Sequence, residues 1–191
     1  MGGHVLKTGN GNPESHALWP DYFDLLMELE GESFENDPAD AGGATKFGID
    51  QRSHPGVDIR SLTRCQAERI HLGEFLASAA SKLPAPLSFV FFDFAMNAGE
   101  SASARALQRA ISHSPADGRI GPLTLGTLHG FLSQPGSAAL LLARFSDKRE
   151  LHYKNLAFCT PRLTRFLRGW LRRTLIVHNW AAARLNDREA A

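Results

Sequence analysis

The sequence predicts a mainly α protein. Apolar residues recur at helical three-and-four spacing in one segment after another, β-branched alternation is nowhere convincing, and proline and glycine punctuate the gaps. With 191 residues, 43% hydrophobic and 21% charged, the chain is long enough to bury a core, and its composition excludes a disordered or fibrous class.

The first helix is read from Trp19-Pro20, with proline near its first turn and Tyr22, Phe23, Leu25, Leu26 and Leu29 on one face, ending at Glu30-Gly31. From Ser33 to Ile49 the periodicity gives way to Asn36-Asp37-Pro38 and Gly42-Gly43, which predicts a loop or short irregular hairpin. Ser61-Leu62-Thr63 leads into a second helix reaching about Ser81. Pro84 and Pro86 then precede Leu87 to Asn97, a segment with almost no polar face that predicts the buried axis of the fold. Helical patterns over residues 102–111, 122–131, 137–157 and 162–186 complete the series. Three regions follow: a polar lead over 1–17, a helical body with the acidic loop over 18–113, and a C-terminal helical subdomain over 114–191.

The net charge of +1 conceals an asymmetry. Residues 1–95 carry 7 Lys+Arg against 14 Asp+Glu, a net of −7, while residues 96–191 carry 14 against 6, a net of +8. Arg162, Arg165, Arg168, Arg172 and Arg173 lie mainly off an apolar stripe of Leu163, Phe166, Leu167, Trp170 and Leu171. That pattern reads either as a packing helix with a solvated basic face or as an attraction to anionic wall polymer, lipid or nucleic acid. No nucleic-acid motif is present, and the acidic half argues against that partner. The two cysteines, Cys65 and Cys159, read as unpaired thiols. No apolar stretch approaches the length of a membrane span, and no secretory signal is legible at the start of the chain, so export is expected by another route.

Five carboxylates, Glu30, Glu32, Glu35, Asp37 and Asp40, fall in the loop region, followed by Gly42-Gly43-Ala44-Thr45 and Gly48-Ile49. A solvated acidic loop is one reading. A calcium loop is another, but the spacing of its ligands is not met. A third is a carboxyl acid at a helix end facing a second polar group, the arrangement of glycoside hydrolysis, in which partial burial favours the protonated, proton-donating acid. Zinc and serine-nucleophile signatures are missing: there is no His-Glu-x-x-His or Cys-x-x-Cys, and Gly31-Glu32-Ser33 and Gly99-Glu100-Ser101 lack the closing glycine of a nucleophile elbow. Asp93 and Asn97, one turn apart on the apolar helix, read either as a polar floor for an N-acetyl sugar or as a satisfied structural network.

The run from Glu30-Gly31 through Asn36-Asp37-Pro38, Asp40-Ala41-Gly42-Gly43-Ala44-Thr45 and Gly48-Ile49 resembles the opening motif of glycoside hydrolase family 108, the peptidoglycan N-acetylmuramidases. Phe92-Asp93-Phe94-Ala95-Met96-Asn97-Ala98-Gly99 is similar to the family's central helix. Asp117-Gly118-Arg119-Ile120-Gly121-Pro122 resembles the start of its peptidoglycan-binding region, and Phe166 to Trp170 its closing segment. The resemblance spans about Asp21 to Trp180. It implies a lysozyme-like helical fold with a small irregular or β-hairpin active-site loop and a C-terminal helical subdomain. It further implies Glu30 as catalytic acid, Asp40 and Thr45 as its partners, and Asn97, Gly43 and Phe47 as substrate contacts, with no metal and no cofactor.

Two departures carry expectations. Glu32 stands where the family has a second glycine. Facing Glu30 it would favour that residue's protonated form, and facing solvent it would change little. His71 and Phe75 stand where the family shows Tyr and Trp, which implies a different sugar-stacking surface. The implied partner is the peptidoglycan glycan strand, with an immunity or secretion-machine protein for an exported chain. Neither nucleic acid nor stable membrane insertion is expected, and a monomer is. The implied place of action is the periplasm or the external wall, reached through a holin, a dedicated secretion system or a larger effector. A lytic transglycosylase and a non-catalytic wall-binding module are the rival readings.

Overall fold

The computed structural model describes residues 13–36 and 43–189, with the side chains of 187–189 excepted. It divides into two compact units, one ending at Ala77 and one beginning at Ser78.

In the first unit, α1 (Pro13–Glu30) buries Trp19, Tyr22, Phe23, Leu25, Leu26 and Met27. It begins seven residues before the Pro20 that marked its start in the sequence. Pro20 sits inside the helix with its ring exposed, where its missing N–H forfeits one helical hydrogen bond. The helix stops because Gly31 takes φ +80°, and its N–H bonds the Met27 carbonyl at 2.9 Å. The predicted hairpin is present: β1 (Thr45–Lys46) pairs antiparallel with β2 (Ile49–Asp50), Thr45 opposite Asp50 and Lys46 opposite Ile49. Phe47 and Gly48 form the turn, both with positive φ (56° and 74°), as a tight turn matched to strand twist requires.

The second helix, α2 (Arg64–Ala77), starts at a reciprocal cap that the sequence spells as Thr63-x-x-Gln66. The Gln66 backbone N–H donates to Thr63 Oγ1 at 3.3 Å, and the Thr63 N–H donates to Gln66 Oε1 at 2.9 Å. Helices α1 and α2 meet through rings, with Trp19 5.4 Å from Phe75 and Phe23 6.3 Å from His71 between centroids.

The second unit opens with a 3-10 turn, Ala79–Lys82, where the sequence had suggested a continuous helix. Ser78 ends that continuity by accepting the Ala80 N–H at its hydroxyl. Helix α3 (Leu87–Ala98) is buried at every residue from Leu87 to Phe94 and forms the axis expected of it. It packs against α4 (Glu100–Ala110) and α7 (Thr164–Glu189), while α5 (Pro122–Leu132) and α4 pack on α6 (Ser137–Cys159). Helices α6 and α7 form a long hairpin joined by the 3-10 turn Pro161–Leu163.

Buried Gln108 on α4 organises the connection into α5. Its Nε2 donates to Asp117 Oδ1 at 2.8 Å, and its Oε1 accepts the Gly118 N–H at 2.9 Å. Gly118 has φ +83°, and a Cβ there would lie 2.4 Å from the Ser101 hydroxyl, which accounts for the glycine in Asp117-Gly118-Arg119.

Of the polar pair on α3, Asp93 is held in a structural network. This carboxylate is wholly buried and accepts from Arg149 Nη2 at 2.6 Å on one oxygen. Its other oxygen accepts from Arg173 Nε at 2.9 Å and Nη2 at 2.6 Å. Arg173, grouped with the solvated basic residues in the sequence, is instead turned into the unit. The remaining guanidinium face of Arg149 lies over the Phe94 and Tyr153 rings, 5.3 and 5.7 Å from their centroids.

Candidate active site

Glu30 is the last residue of α1 and is half-buried. Across from it stands the hairpin turn. A Cβ on Gly48 would come within 2.7 Å of Glu30 Cγ and 3.0 Å of its Cδ, so only glycine lets the turn approach the acid this closely. Gly48 also has φ +74°, so steric closeness and backbone conformation make the same demand. Thr45 lies on the strand leading into that turn. Its N–H and C=O both pair with Glu35, at 2.8 Å each, and its hydroxyl donates to the Gly43 carbonyl at 3.3 Å. Gly43 takes φ +75°. The structure therefore brings Glu30, Gly43, Thr45 and the Phe47–Gly48 turn into one hairpin-and-helix-end assembly. Asp40 lies outside the described residues, as does Asp37.

Phe47 is in this assembly and is buried, 6% exposed. A bulky residue with φ 56° is strained, and two interactions oppose that strain. One is burial of the ring. The other is a bond from buried His71, whose Nε2 lies 2.9 Å from the Phe47 carbonyl. A carbonyl only accepts, so Nε2 carries the hydrogen. The other ring nitrogen lies 3.2 Å from Glu74 Oε2, and His54 Nε2 lies 3.2 Å from Glu74 Oε1. The hydrogen bond from His71 holds the Glu74 carboxyl below its usual range, with burial opposing and the nearby His54 charge assisting.

His71 and Phe75 are thus core residues, 1% and 2% exposed, and neither presents a ring for sugar stacking. The sequence expectation of an altered stacking surface at these positions is corrected: α2 turns both inward, against α1 and the hairpin. The sequence reading did not single out Glu74 or His54, nor the brace that His71 gives the Phe47 carbonyl. Gly48 was legible in the Gly48-Ile49 pair, though not the reason for it. His71→Phe keeps a ring but leaves the buried Phe47 carbonyl unpaired, an expected loss of about 1–3 kcal/mol. His71→Gln, with its own donor, is expected to recover part of that loss. Thermal unfolding of the two variants checks this, and equal stability would remove the strut.

Glu32 is exposed and held by Arg64, whose Nε donates to Glu32 Oε1 at 3.1 Å and whose Nη2 donates to Asp24 Oδ1 at 2.6 Å. The same guanidinium lies over the Phe23 ring at 5.0 Å. The extra acid is thereby tied to a cation. Asn97, in the second unit, is exposed, and its amide donates to the Asp93 carbonyl at 2.8 Å. Among the described residues no group of three His, Cys, Asp or Glu side chains could hold a metal ion. An apolar cavity of about 190 Å³ in the second unit is lined by residues such as Pro86, Leu132 and Leu141, with no acid among its walls.

A mainly helical body carrying a glutamate at a helix end, faced by a glycine-bearing hairpin, defines a class: glycoside hydrolases of lysozyme-like architecture. The comparisons with known proteins carry this further. Residues 23–99 match the family model described as Glycosyl hydrolase 108, and residues 102–175 match that of a Predicted Peptidoglycan domain. Residues 23–99 therefore carry a glycosyl hydrolase 108 domain, and its pairing with a peptidoglycan domain supports a peptidoglycan hydrolase in general. Among solved structures it resembles the "Structure of Brucella abortus SagA", at TM-score 0.68 and 25% identity over 88% of this chain and 95% of that one. No curated protein matches the chain.

Proposed function

We propose that the protein is an N-acetylmuramidase that hydrolyses the β-1,4 bond between N-acetylmuramic acid and N-acetylglucosamine, in bacteriolysis or wall remodelling. The observation that carries this reading is the approach of the Gly48 turn to Glu30, which places a half-buried carboxyl beside a hairpin bearing Thr45. In this reading Glu30 protonates the glycosidic oxygen as the sugar–oxygen bond breaks and positive charge develops at the anomeric carbon. Asp40, with Thr45, positions or activates the attacking water and stabilises that charge. The water's proton leaves to the carboxylate, and its oxygen forms the new bond at the anomeric carbon. Gly43 and the Phe47 turn act as backbone contacts for the glycan, and Asn97 is a further candidate polar contact. The mechanism needs no metal or cofactor.

The chain would act as a monomer on the wall, from the periplasm or from outside. It would be delivered by a holin, a secretion machine or a larger effector, and an immunity protein would be the partner of an exported form. Among the described residues no helix is long and apolar enough to cross a membrane. Asp40→Asn and Thr45→Ala are each expected to lower turnover on purified sacculi by about a hundredfold, the range of a lost acid–base or positioning group. Binding to the sacculi should be retained. Near-normal turnover in either variant would remove that residue from the mechanism.

A further inference from the structure

The tip of the α6–α7 hairpin exposes what a soluble helical unit ordinarily hides. Phe158, in the last turn of α6, is 87% exposed, and Phe166, in the first turn of α7, is 44% exposed. The two rings stand at the same end of the hairpin, on either side of Pro161–Leu163. The tip is firmly built. The Thr160 N–H bonds the Leu156 carbonyl at 2.9 Å, and the Leu163 N–H bonds the Thr160 carbonyl at 2.8 Å. An aromatic series anchors it to the interior: Tyr153, 1% exposed, stacks on Trp170 at 5.0 Å, and Trp170 meets Phe166 at 5.8 Å.

Around these rings the charge has one sign. No Asp or Glu occurs in the sequence between Glu150 and Asp187. Lys154 is paired with Glu150 at 2.8 Å, and Arg173 is committed to Asp93. Arg162, Arg165 and Arg168, all exposed, have no carboxylate partner among the described residues, and Arg165 lies 4.6 Å over the Phe166 ring. At about 1.5 Å of rise per residue, Arg165 and Arg168 sit within roughly a headgroup layer's depth of the start of α7.

We propose that this tip is a peripheral docking surface for an anionic phospholipid bilayer, with Phe158 entering the acyl boundary and Arg162, Arg165 and Arg168 engaging the headgroups. A bilayer satisfies both halves of the surface: its anionic headgroups complement the arginines, and its hydrocarbon edge removes the Phe158 ring from water. A soluble polyanion, whether nucleic acid or a phosphate-rich wall polymer, satisfies the arginines and offers no hydrocarbon to the Phe158 ring. The contact is superficial, without a spanning helix. It would hold a wall-cutting domain at the membrane face of the wall, independently of which bond that domain cuts.

The test is co-sedimentation of the full chain with phosphatidylglycerol/phosphatidylethanolamine vesicles and with phosphatidylcholine vesicles. Binding is expected to the anionic vesicles alone and to weaken strongly at about 1 M salt, where screening acts over about 3 Å. Arg162→Glu with Arg165→Glu is expected to weaken it about 25-fold or more, at about fivefold per arginine lost. Phe158→Ser is expected to weaken it about tenfold while leaving affinity for a duplex DNA oligonucleotide unchanged. Equal binding to both vesicle types, or vesicle binding indifferent to Phe158, would overturn the proposal. So would a loss in these variants of binding to lipid-free sacculi in place of vesicles. The salt and vesicle arms use the unaltered protein, so a variant that failed to fold would leave the proposal open to refutation.

Discussion

Glu30→Gln is expected to abolish measurable peptidoglycan cleavage while leaving sacculus binding intact. The substitution preserves the length and much of the polarity of a side chain pressed against Gly48, so the helix end and hairpin should keep their geometry. What it removes is the proton that would be delivered to the leaving oxygen, a contribution worth about 10²–10⁴ in rate. Gln cannot take on that role, because its amide does not yield a proton in the relevant range. Turnover of dye-labelled sacculi, read beside pelleting of the bound protein, separates the two effects. A variant that still cuts at more than about a tenth of the wild-type rate would remove Glu30 as the acid.

The second large effect is on stability. Asp93→Ala would leave Arg149, itself 0% exposed, as a buried charge without a counter-ion. Removing one member of a buried pair typically costs about 3–5 kcal/mol. In a chain of this size that lowers the melting temperature by roughly 6–20 °C. Arg173→Ala should cost less, because that side chain is 13% exposed and Asp93 would retain Arg149.

The network also fixes a pH dependence. Burial pushes Asp93 up, yet the charges and hydrogen bonds of Arg149 and Arg173 outweigh it and hold the carboxyl below its ordinary value. A carboxyl lowered on folding stabilises the fold above its unfolded value, about 3.9, and that contribution disappears as the pH falls through the folded value. The wild type should therefore lose stability below about pH 4, and Asp93→Asn should be less stable near neutrality with a shallower acid limb. Thermal unfolding from pH 3 to pH 7 checks both, and identical limbs would contradict the buried pairing.

The helices were legible because each carries its own apolar stripe and its own stops, as in Thr63-x-x-Gln66 for α2 and Gly31 after α1. The hairpin was legible from its glycines. The start of α1 was not, because Pro20 signals a first turn and here occupies the interior of a longer helix. What escaped altogether were pairings between distant positions. His71 meets Phe47 across 24 residues, Arg149 meets Asp93 across 56, and Arg173 meets it across 80. No local pattern encodes which arginine of a basic helix turns inward. Nor does a histidine on α2 announce that it braces a turn lying against Glu30.

The site divides in the same way. Glu30, Gly43 and Thr45 sit in one contiguous motif, so a resemblance could name them. The reason Gly48 must be glycine is a three-dimensional approach of turn to helix end, visible only once both are folded.

The most direct measurement is mass spectrometry of the muropeptides released from purified sacculi by the wild-type protein, with their ends identified. New reducing N-acetylmuramic acid ends, absent from a parallel digest with Glu30→Gln, are the predicted result. Anhydro-muramoyl ends would replace hydrolysis by transglycosylation, and reducing ends on N-acetylglucosamine would place the cut at the other bond; either would contradict the muramidase reading.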